Sequence, residues 1–151
     1  MIRAHVYVVA AMLTACGGGD PALCSGDVLA EVNTARATPR QCGATSYAAV
    51  QPLTLDAVLT AAAERHAADL AKTGATSHTG SDGSTVTDRA KAYGRPVGEN
   101  VLTGDADLAH AMRGLLASPG HCQNIMNPNA VKFGAACIET DRAVWVQVFG
   151  V

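Results

Sequence analysis

The chain lacks any excess of basic residues. Its 151 residues include 11 Lys and Arg against 13 Asp and Glu, a formal net charge of -2. Proteins that bind nucleic acids present clustered positive charge that neutralises phosphates. The composition therefore argues against a nucleic-acid partner.

Aromatic residues are also few, with 1 Trp, 3 Tyr and 2 Phe, although 48% of the residues are hydrophobic. The apolar share comes largely from alanine and valine, which suits a compact domain of closely packed helices and strands. No apolar stretch reaches the ~18 residues that a membrane-spanning helix needs. The length and composition predict one folded domain.

The first 15 residues have the organisation of a signal peptide. A positive charge at Arg3 precedes an apolar run over residues 6–13 and small residues before Cys16. The letters LTAC, ending at Cys16, resemble a bacterial lipobox, which implies cleavage before Cys16 and a lipid on its sulfur. Residues 16–22 then form a glycine-rich tether. We expect an extracytoplasmic lipoprotein anchored to the membrane through Cys16, at the cell surface or in the periplasm; the alternatives are a short buried helix and ordinary signal-peptidase cleavage.

Four further cysteines, Cys24, Cys42, Cys122 and Cys137, are an even number in a compartment where disulfides persist. Three sets of pairings are open. Proximity along the chain favours Cys24–Cys42 with Cys122–Cys137, because each bond closes a short loop. A four-thiolate zinc site is the alternative, but no Cys-x-x-Cys pair is present.

Apolar periodicity and turn residues predict the elements of the mature chain. We expect a first helix from Leu23 to before Pro39 and a loop over Gly43 to Pro52. A long alanine-rich helix follows from Leu55 to Ala71 and ends at Gly74. Further elements are predicted as a short helix at Val86 to Tyr93, an extended segment at Val97 to Leu102 and a helix at Ala106 to Ala117.

Two strands, Val131 to Glu139 and Ala143 to Val151, are predicted to meet at a turn over Thr140 to Arg142. The last strand is apolar on both faces, since valines alternate with Trp145 and Phe149. A sheet of that kind must be covered on both sides. The pattern therefore predicts an α/β/α sandwich.

Three titratable residues, His78, Glu99 and His121, stand in glycine- or proline-rich contexts typical of functional loops. Two imidazoles and a carboxylate can form an open zinc site or act as general acid and base. Their spacing does not show that they lie together. The structural alternatives are that His78 bonds to backbone carbonyls, that His121 caps a helix, and that Glu99 pairs with one of two arginines, Arg89 or Arg95.

Two other histidines are not predicted to be ligands. His66 lies on the apolar face of the long helix and is expected to be a packing residue. His110, on the helix at 106–117, is expected to face solvent.

The order of motifs resembles the bacterial branch of the CAP superfamily, also called SCP-like proteins. The resemblance covers residues 23–151 and rests on NTAR at 33–36, AERHA at 63–67, SHTGSDG at 77–83, DRA at 88–90, GEN at 98–100, SPGH followed by NIM at 118–126 and WVQVFG at 145–150. It implies a three-layer α/β/α sandwich with a small, mainly antiparallel central sheet.

In that family, a central cleft is lined by two histidines and one or two glutamates, and some members bind zinc or another divalent cation there. The resemblance assigns His78, Glu99 and His121 to this set. A second glutamate is often found on the helix before the second histidine, but here that helix offers only Asp107. Leu115 also replaces a tryptophan that is common in bacterial members, which implies a wider cleft.

Two classes of function remain open at this stage. In the favoured one, the cleft binds a divalent metal, a small ligand, or a lipid or sterol in or near it. In the alternative, His78 and His121 hold zinc while Glu99 handles its bound water, which would give a peptidase or esterase. Fold resemblance does not decide between these two activities.

Overall fold

The computed structural model describes residues 22–23, 26–104 and 106–151, and the side chains of all of these except 22, 23 and 92–94. The predicted signal peptide, Cys16 and Cys24 lie outside the described residues. The helices are α1 (Val28–Arg36), α2 (Ala57–Thr73), α3 (Val86–Gly94), α4 (Leu108–Ala117) and α5 (Pro119–Ile125). The strands are β1 (Ala22–Leu23), β2 (Arg40–Cys42), β3 (Thr45–Tyr47), β4 (Thr54–Leu55), β5 (Pro96–Gly104), β6 (Lys132–Glu139) and β7 (Ala143–Gly150).

The central sheet has the strand order β1-β6-β7-β5, and β4 joins β6 at the side. Only the β4–β6 pair is parallel among the described strands. β7 lies between β5 and β6 and is buried along its whole length. This confirms the small, mainly antiparallel sheet.

Helices cover both faces of the sheet. Val144, Val146 and Val148 form one apolar cluster with buried residues of α2. The alternate residue Phe149 packs with Phe133 and with buried residues of α1, α4 and α5 in a second cluster. The alternation along β7 thus sends successive side chains into two cores, which confirms the α/β/α sandwich.

Helix α2 begins and ends at residues that suit those positions. Asp56 accepts hydrogen bonds from the first-turn N–H groups of Val58 and Leu59, and Gly74 ends the helix in the left-handed conformation. The start of the helix lies directly on β6. A Cβ placed on Gly134 would come within 2.1 Å of the Thr60 nitrogen.

Several predicted boundaries were wrong. The chain at Leu23 belongs to β1, and α1 begins only at Val28, after its cap Asp27. The predicted loop at Gly43–Pro52 contains β3, which pairs with β2 as a separate hairpin. Helix α5 was not predicted. It begins at Pro119, because proline is well suited to a first helical position.

The predicted disulfides were also wrong. Cys42 of β2 is bonded to Cys122 of α5 across 80 residues of sequence, so neither Cys24–Cys42 nor Cys122–Cys137 can form alongside it. Cys137 is disulfide-bonded as well, and the described part of the chain therefore holds no free thiol. Proximity along the chain failed as a guide because the β2–β3 hairpin packs on the start of α5: a Cβ on Gly43 would lie 2.9 Å from Pro119.

Candidate functional site

The three predicted site residues come from three separate elements. His78 lies in the loop between α2 and α3, Glu99 lies on β5, and His121 lies in α5. Glu99 is nearly buried, whereas 62% of the His78 side chain is exposed. The histidine therefore faces solvent, and the carboxylate lies beneath it.

Glu99 is held by contacts on both of its carboxylate oxygens. His78 Nδ1 lies 2.9 Å from Oε1, and Arg89 Nη2 donates to Oε2 at 2.7 Å. In the neutral tautomer that donates to the carboxylate through Nδ1, the His78 Nε2 atom is an acceptor. The carboxylate thus orients the imidazole, as second-layer carboxylates do around metal-binding histidines.

The sequence offered two arginines as partners of Glu99. In the structure Arg89 makes this contact and Arg95 does not. The Arg89 side chain is 1% exposed. Besides Glu99, it donates to the backbone carbonyl groups of Ser84 at 2.7 Å and His78 at 3.1 Å. The arginine therefore ties the 77–84 loop, which carries His78, to the buried carboxylate.

His66 is buried, as expected of a packing residue, but it also reaches the site. Its Nε2 lies 2.8 Å from the Ser77 carbonyl oxygen and 3.9 Å from Glu99 Oε1. Burial lowers its pKa, against the opposing effects of Ser77 and Glu99. Since a carbonyl only accepts, Nε2 carries the hydrogen and His66 fixes the backbone next to His78.

His121 lies close enough to His78 for the two imidazoles to influence each other. Burial lowers the pKa of His121, and the charge of His78 lowers it further. Its Nδ1 is buried and makes no hydrogen bond within the described part of the chain. The neutral form that can bind a metal is therefore favoured.

A buried chain of amides, which the sequence analysis missed, holds α5 against β5. Asn100 donates to the His121 carbonyl oxygen at 3.2 Å and to Gln147 Oε1 at 3.0 Å. Asn124 donates to the Glu99 carbonyl oxygen and to Asn100 Oδ1, at 3.0 and 2.9 Å. Gln147, a polar residue in an otherwise apolar buried strand, was the available signal.

The residue before Glu99 must be small for this arrangement to form. A Cβ on Gly98 would lie 2.7 Å from Asn124 Oδ1. The two asparagines and this glycine therefore belong to one contact between β5 and α5. That contact and the Cys42–Cys122 disulfide, next to His121, set where the second histidine stands.

The other sequence expectations concern α4. Asp107 caps the helix, accepting from the His110 N–H at 2.7 Å, so its carboxylate is engaged at the helix start. Leu115 is buried in the core, and His110 is exposed, as expected.

The structure does not support the predicted three-ligand metal site. Among the described residues, no group of three or more His, Cys, Asp or Glu side chains is arranged to hold a metal ion. Glu99 is a poor ligand here because Arg89 occupies Oε2 and its positive charge opposes a cation. The imidazoles of His78 and His121 remain as donors of the type that divalent transition metals prefer.

Comparison with family models matches residues 29–149 to CAP, the cysteine-rich secretory protein family. The chain belongs to the CAP family. This confirms the resemblance drawn from the motifs. The CAP domain is similar to the uncharacterised protein YkwD of Bacillus subtilis strain 168, with 26% identity over 103 residues. The match covers 66% of this chain and 40% of YkwD, so the chain spans less than half of that relative's length.

Three solved structures share the CAP fold. An extracellular protein with an SCP domain from Bacillus anthracis str. Ames has a TM-score of 0.59 and 24% identity, covering 68% of this chain and 35% of that one. An outer surface protein of Borrelia burgdorferi has a TM-score of 0.58 and 24% identity, covering 67% and 78%. NaASP2, crystallised with Zn²⁺, has a TM-score of 0.57 and 16% identity, covering 82% and 76%. At these identities the likeness establishes the fold.

Proposed function

We propose that this CAP domain works outside the cytoplasm and binds a divalent cation, such as zinc, between His78 and His121. The observation that carries this proposal is the 2.9 Å contact between His78 Nδ1 and Glu99. Through this contact the buried carboxylate orients the exposed imidazole, and the Nε2 atom of the ring stays available to a cation. The nearby His121 supplies a second imidazole. A bound cation would supply Lewis acidity and a fixed positive charge to a ligand in the cleft.

The contacts of Glu99 favour binding over hydrolysis. A general base must be free to accept a proton from water. Here Arg89 and His78 already engage the two oxygens of Glu99. The zinc-assisted peptidase or esterase remains the alternative, but these two contacts support an orienting role for the carboxylate.

Two findings support an extracytoplasmic location. The disulfide between Cys42 and Cys122 is of a kind that persists in oxidising compartments. Two of the solved relatives are an extracellular protein and an outer surface protein. In the described residues, no helix has the length and apolar character to span a membrane. We also propose that a lipid on Cys16 anchors the protein to the membrane.

Calorimetric titration of zinc into the purified protein tests the cation site. We expect micromolar or tighter binding that is lost in both His78→Ala and His121→Ala, while His110→Ala, which changes an exposed histidine of α4, binds like the parent. Circular dichroism should show that all three variants fold. A folded parent that does not bind zinc would refute the proposal.

A second candidate function, lipid binding, is favoured by an apolar groove between α1, the start of α2 and β6. The groove has a volume of about 470 Å³, within the usual range for ligand sites. Val28, Leu29 and Phe133 line it, and Leu55 at its wall is 64% exposed. These residues could hold the acyl chain of a lipid.

Binding of a fluorescent fatty acid tests this second function. Leu55→Asp should abolish binding by placing a charge in the groove. Val97→Asp changes a valine on β5 that is 39% exposed and should leave binding intact. Equal binding by the parent and the Leu55 variant would argue against the groove.

A further inference from the structure

Two buried nitrogen atoms, on side chains that lie next to Glu99, have no partner within the described part of the chain. They are His66 Nδ1 and Arg89 Nε. The His66 side chain is fully buried and that of Arg89 is 1% exposed. Buried polar atoms are rarely left unbonded, because each carries a desolvation penalty. Each of the two atoms therefore needs a hydrogen-bond partner.

Both residues line the same small pocket between α2 and the 77–84 loop, which we call the α2 pocket. The rest of its walls are formed by Arg65, Asp69, Ser81, Asp82 and Ser84. Its volume is about 100 Å³. This is enough space for an ordered water molecule.

The two unpaired nitrogens have complementary roles. His66 Nε2 donates to the Ser77 carbonyl oxygen, so Nδ1 of the neutral ring is an acceptor. Arg89 Nε carries a hydrogen and is a donor. A ligand that satisfies both must accept one hydrogen bond and donate another, as a water molecule or a hydroxyl group does.

The charges around the α2 pocket favour a neutral ligand. Two arginines face two aspartates, and Arg65 is already paired with Asp82 at 2.6 Å. Asp69 accepts hydrogen bonds from the backbone N–H and hydroxyl of Ser81, and Asp82 accepts from the Ser84 N–H. With the carboxylates satisfied and the charges balanced, nothing here selects a cation or an anion.

We propose that an ordered water molecule binds in the α2 pocket, accepting a hydrogen bond from Arg89 Nε and donating one to His66 Nδ1. The water holds the two side chains whose other nitrogens lie 2.7 and 3.9 Å from Glu99. It also keeps His66 in the tautomer that donates to Ser77. His66 is thus a positioning residue for the loop that carries His78.

A high-resolution crystal structure and solution NMR of the whole protein test this proposal. We expect electron density for a water within hydrogen-bonding distance of both nitrogens. In solution, the Arg89 Nε–H resonance should show a cross-peak to a long-lived water, and the nitrogen shifts of His66 should report the Nε2–H tautomer. An ion at this position, a dry pocket, or a proton on His66 Nδ1 would overturn the proposal.

Two variants separate positioning from simple packing. His66→Phe keeps an aromatic ring of similar shape but removes both nitrogens. His66→Gln keeps a side chain that can donate and accept hydrogen bonds. We expect the Gly80 N–H, bonded to the Ser84 carbonyl oxygen at 2.9 Å, to exchange about tenfold faster in the Phe variant and to be partly restored in the Gln variant. The Thr140 N–H in the β6–β7 turn should be unaffected in both.

Unchanged exchange of Gly80 in the folded Phe variant would rule out the positioning role. Should His66→Phe fail to fold, the electron density and the Arg89 resonance of the parent protein decide the proposal.

Discussion

The buried ion pair of Arg89 and Glu99 has a counterpart on the surface of the same molecule. Arg65 and Asp82 lie at a similar distance, 2.6 Å, but each of these side chains is 54% exposed. Burial changes what each pair contributes, because a buried charge that loses its partner stays desolvated. The sequence offered Arg89 as a candidate partner of Glu99. That the pair is buried follows only from the tertiary structure.

We expect Arg89→Ala to lower the free energy of unfolding by about 3 kcal/mol, since it leaves Glu99 buried without its arginine partner. Arg65→Ala, the matched control in the exposed pair, should lose less than about 1 kcal/mol. Urea unfolding followed by circular dichroism measures both values. Similar losses in the two variants would show that Glu99 does not need Arg89.

At the scale of elements, the long helix α2 was predictable because its alanine-rich apolar face, its cap and its terminal glycine all agree. Helix α5 and the β2–β3 hairpin were not predictable in the same way. Both are short, and both depend on contacts with each other and on the Cys42–Cys122 bond. Short elements gain little from local propensity, so tertiary contacts determine them.

The close approach of α2 to β6 yields a sharp test at Gly134. A Cβ there would meet the backbone of Leu59 and Thr60 at 2.1 to 2.6 Å, and backbone cannot move aside as a side chain can. We expect Gly134→Ala to destabilise the protein by about 3 kcal/mol or more. Gly104→Ala, also in a strand but with nothing within 4 Å of the new Cβ, should change stability by no more than about 0.5 kcal/mol. A thermal unfolding series that found no difference between the two would contradict this packing.

At the scale of the whole molecule, the Cys42–Cys122 disulfide links the first third of the chain to its last third. In the chain-entropy model, a bond closing 80 residues contributes about 4 kcal/mol by restricting the unfolded chain. We expect the double variant Cys42→Ser, Cys122→Ser to lose about that much in chemical unfolding. The parent measured under identical oxidising conditions is the control. A loss below about 1 kcal/mol would contradict a stabilising role for this bond.

The stability of the whole fold should also depend on pH through His66 and His121. Burial lowers both pKa values below the ordinary 6.5, so the unfolded chain binds more protons than the folded one just below that pH. The stabilising effect of the neutral rings is therefore complete above pH 6.5 and is lost as the pH falls towards the lower folded values. Asp69, Asp82 and Asp88 have pKa values lowered from 3.8, so their effect appears only in stronger acid.

Urea unfolding of the metal-free protein at a series of pH values measures this dependence. Stability should fall as the pH is lowered from about 7 to about 5, the range in which histidines titrate. His66→Gln should show a shallower fall, because one of the two buried rings is gone. Constant or rising stability over this range would contradict the assignment.

The sequence by itself determined the family, the long helix α2 and the alternation of β7, because these depend on local periodicity and on motifs of neighbouring residues. Tertiary structure decided the pairing of Cys42 with Cys122 and the burial of Arg89 against Glu99. It also decided the contact of His66 with Ser77 and the amide chain that holds α5. These contacts join residues that are distant in sequence, or they depend on which side chains become buried. Neither residue type nor spacing specifies such a contact.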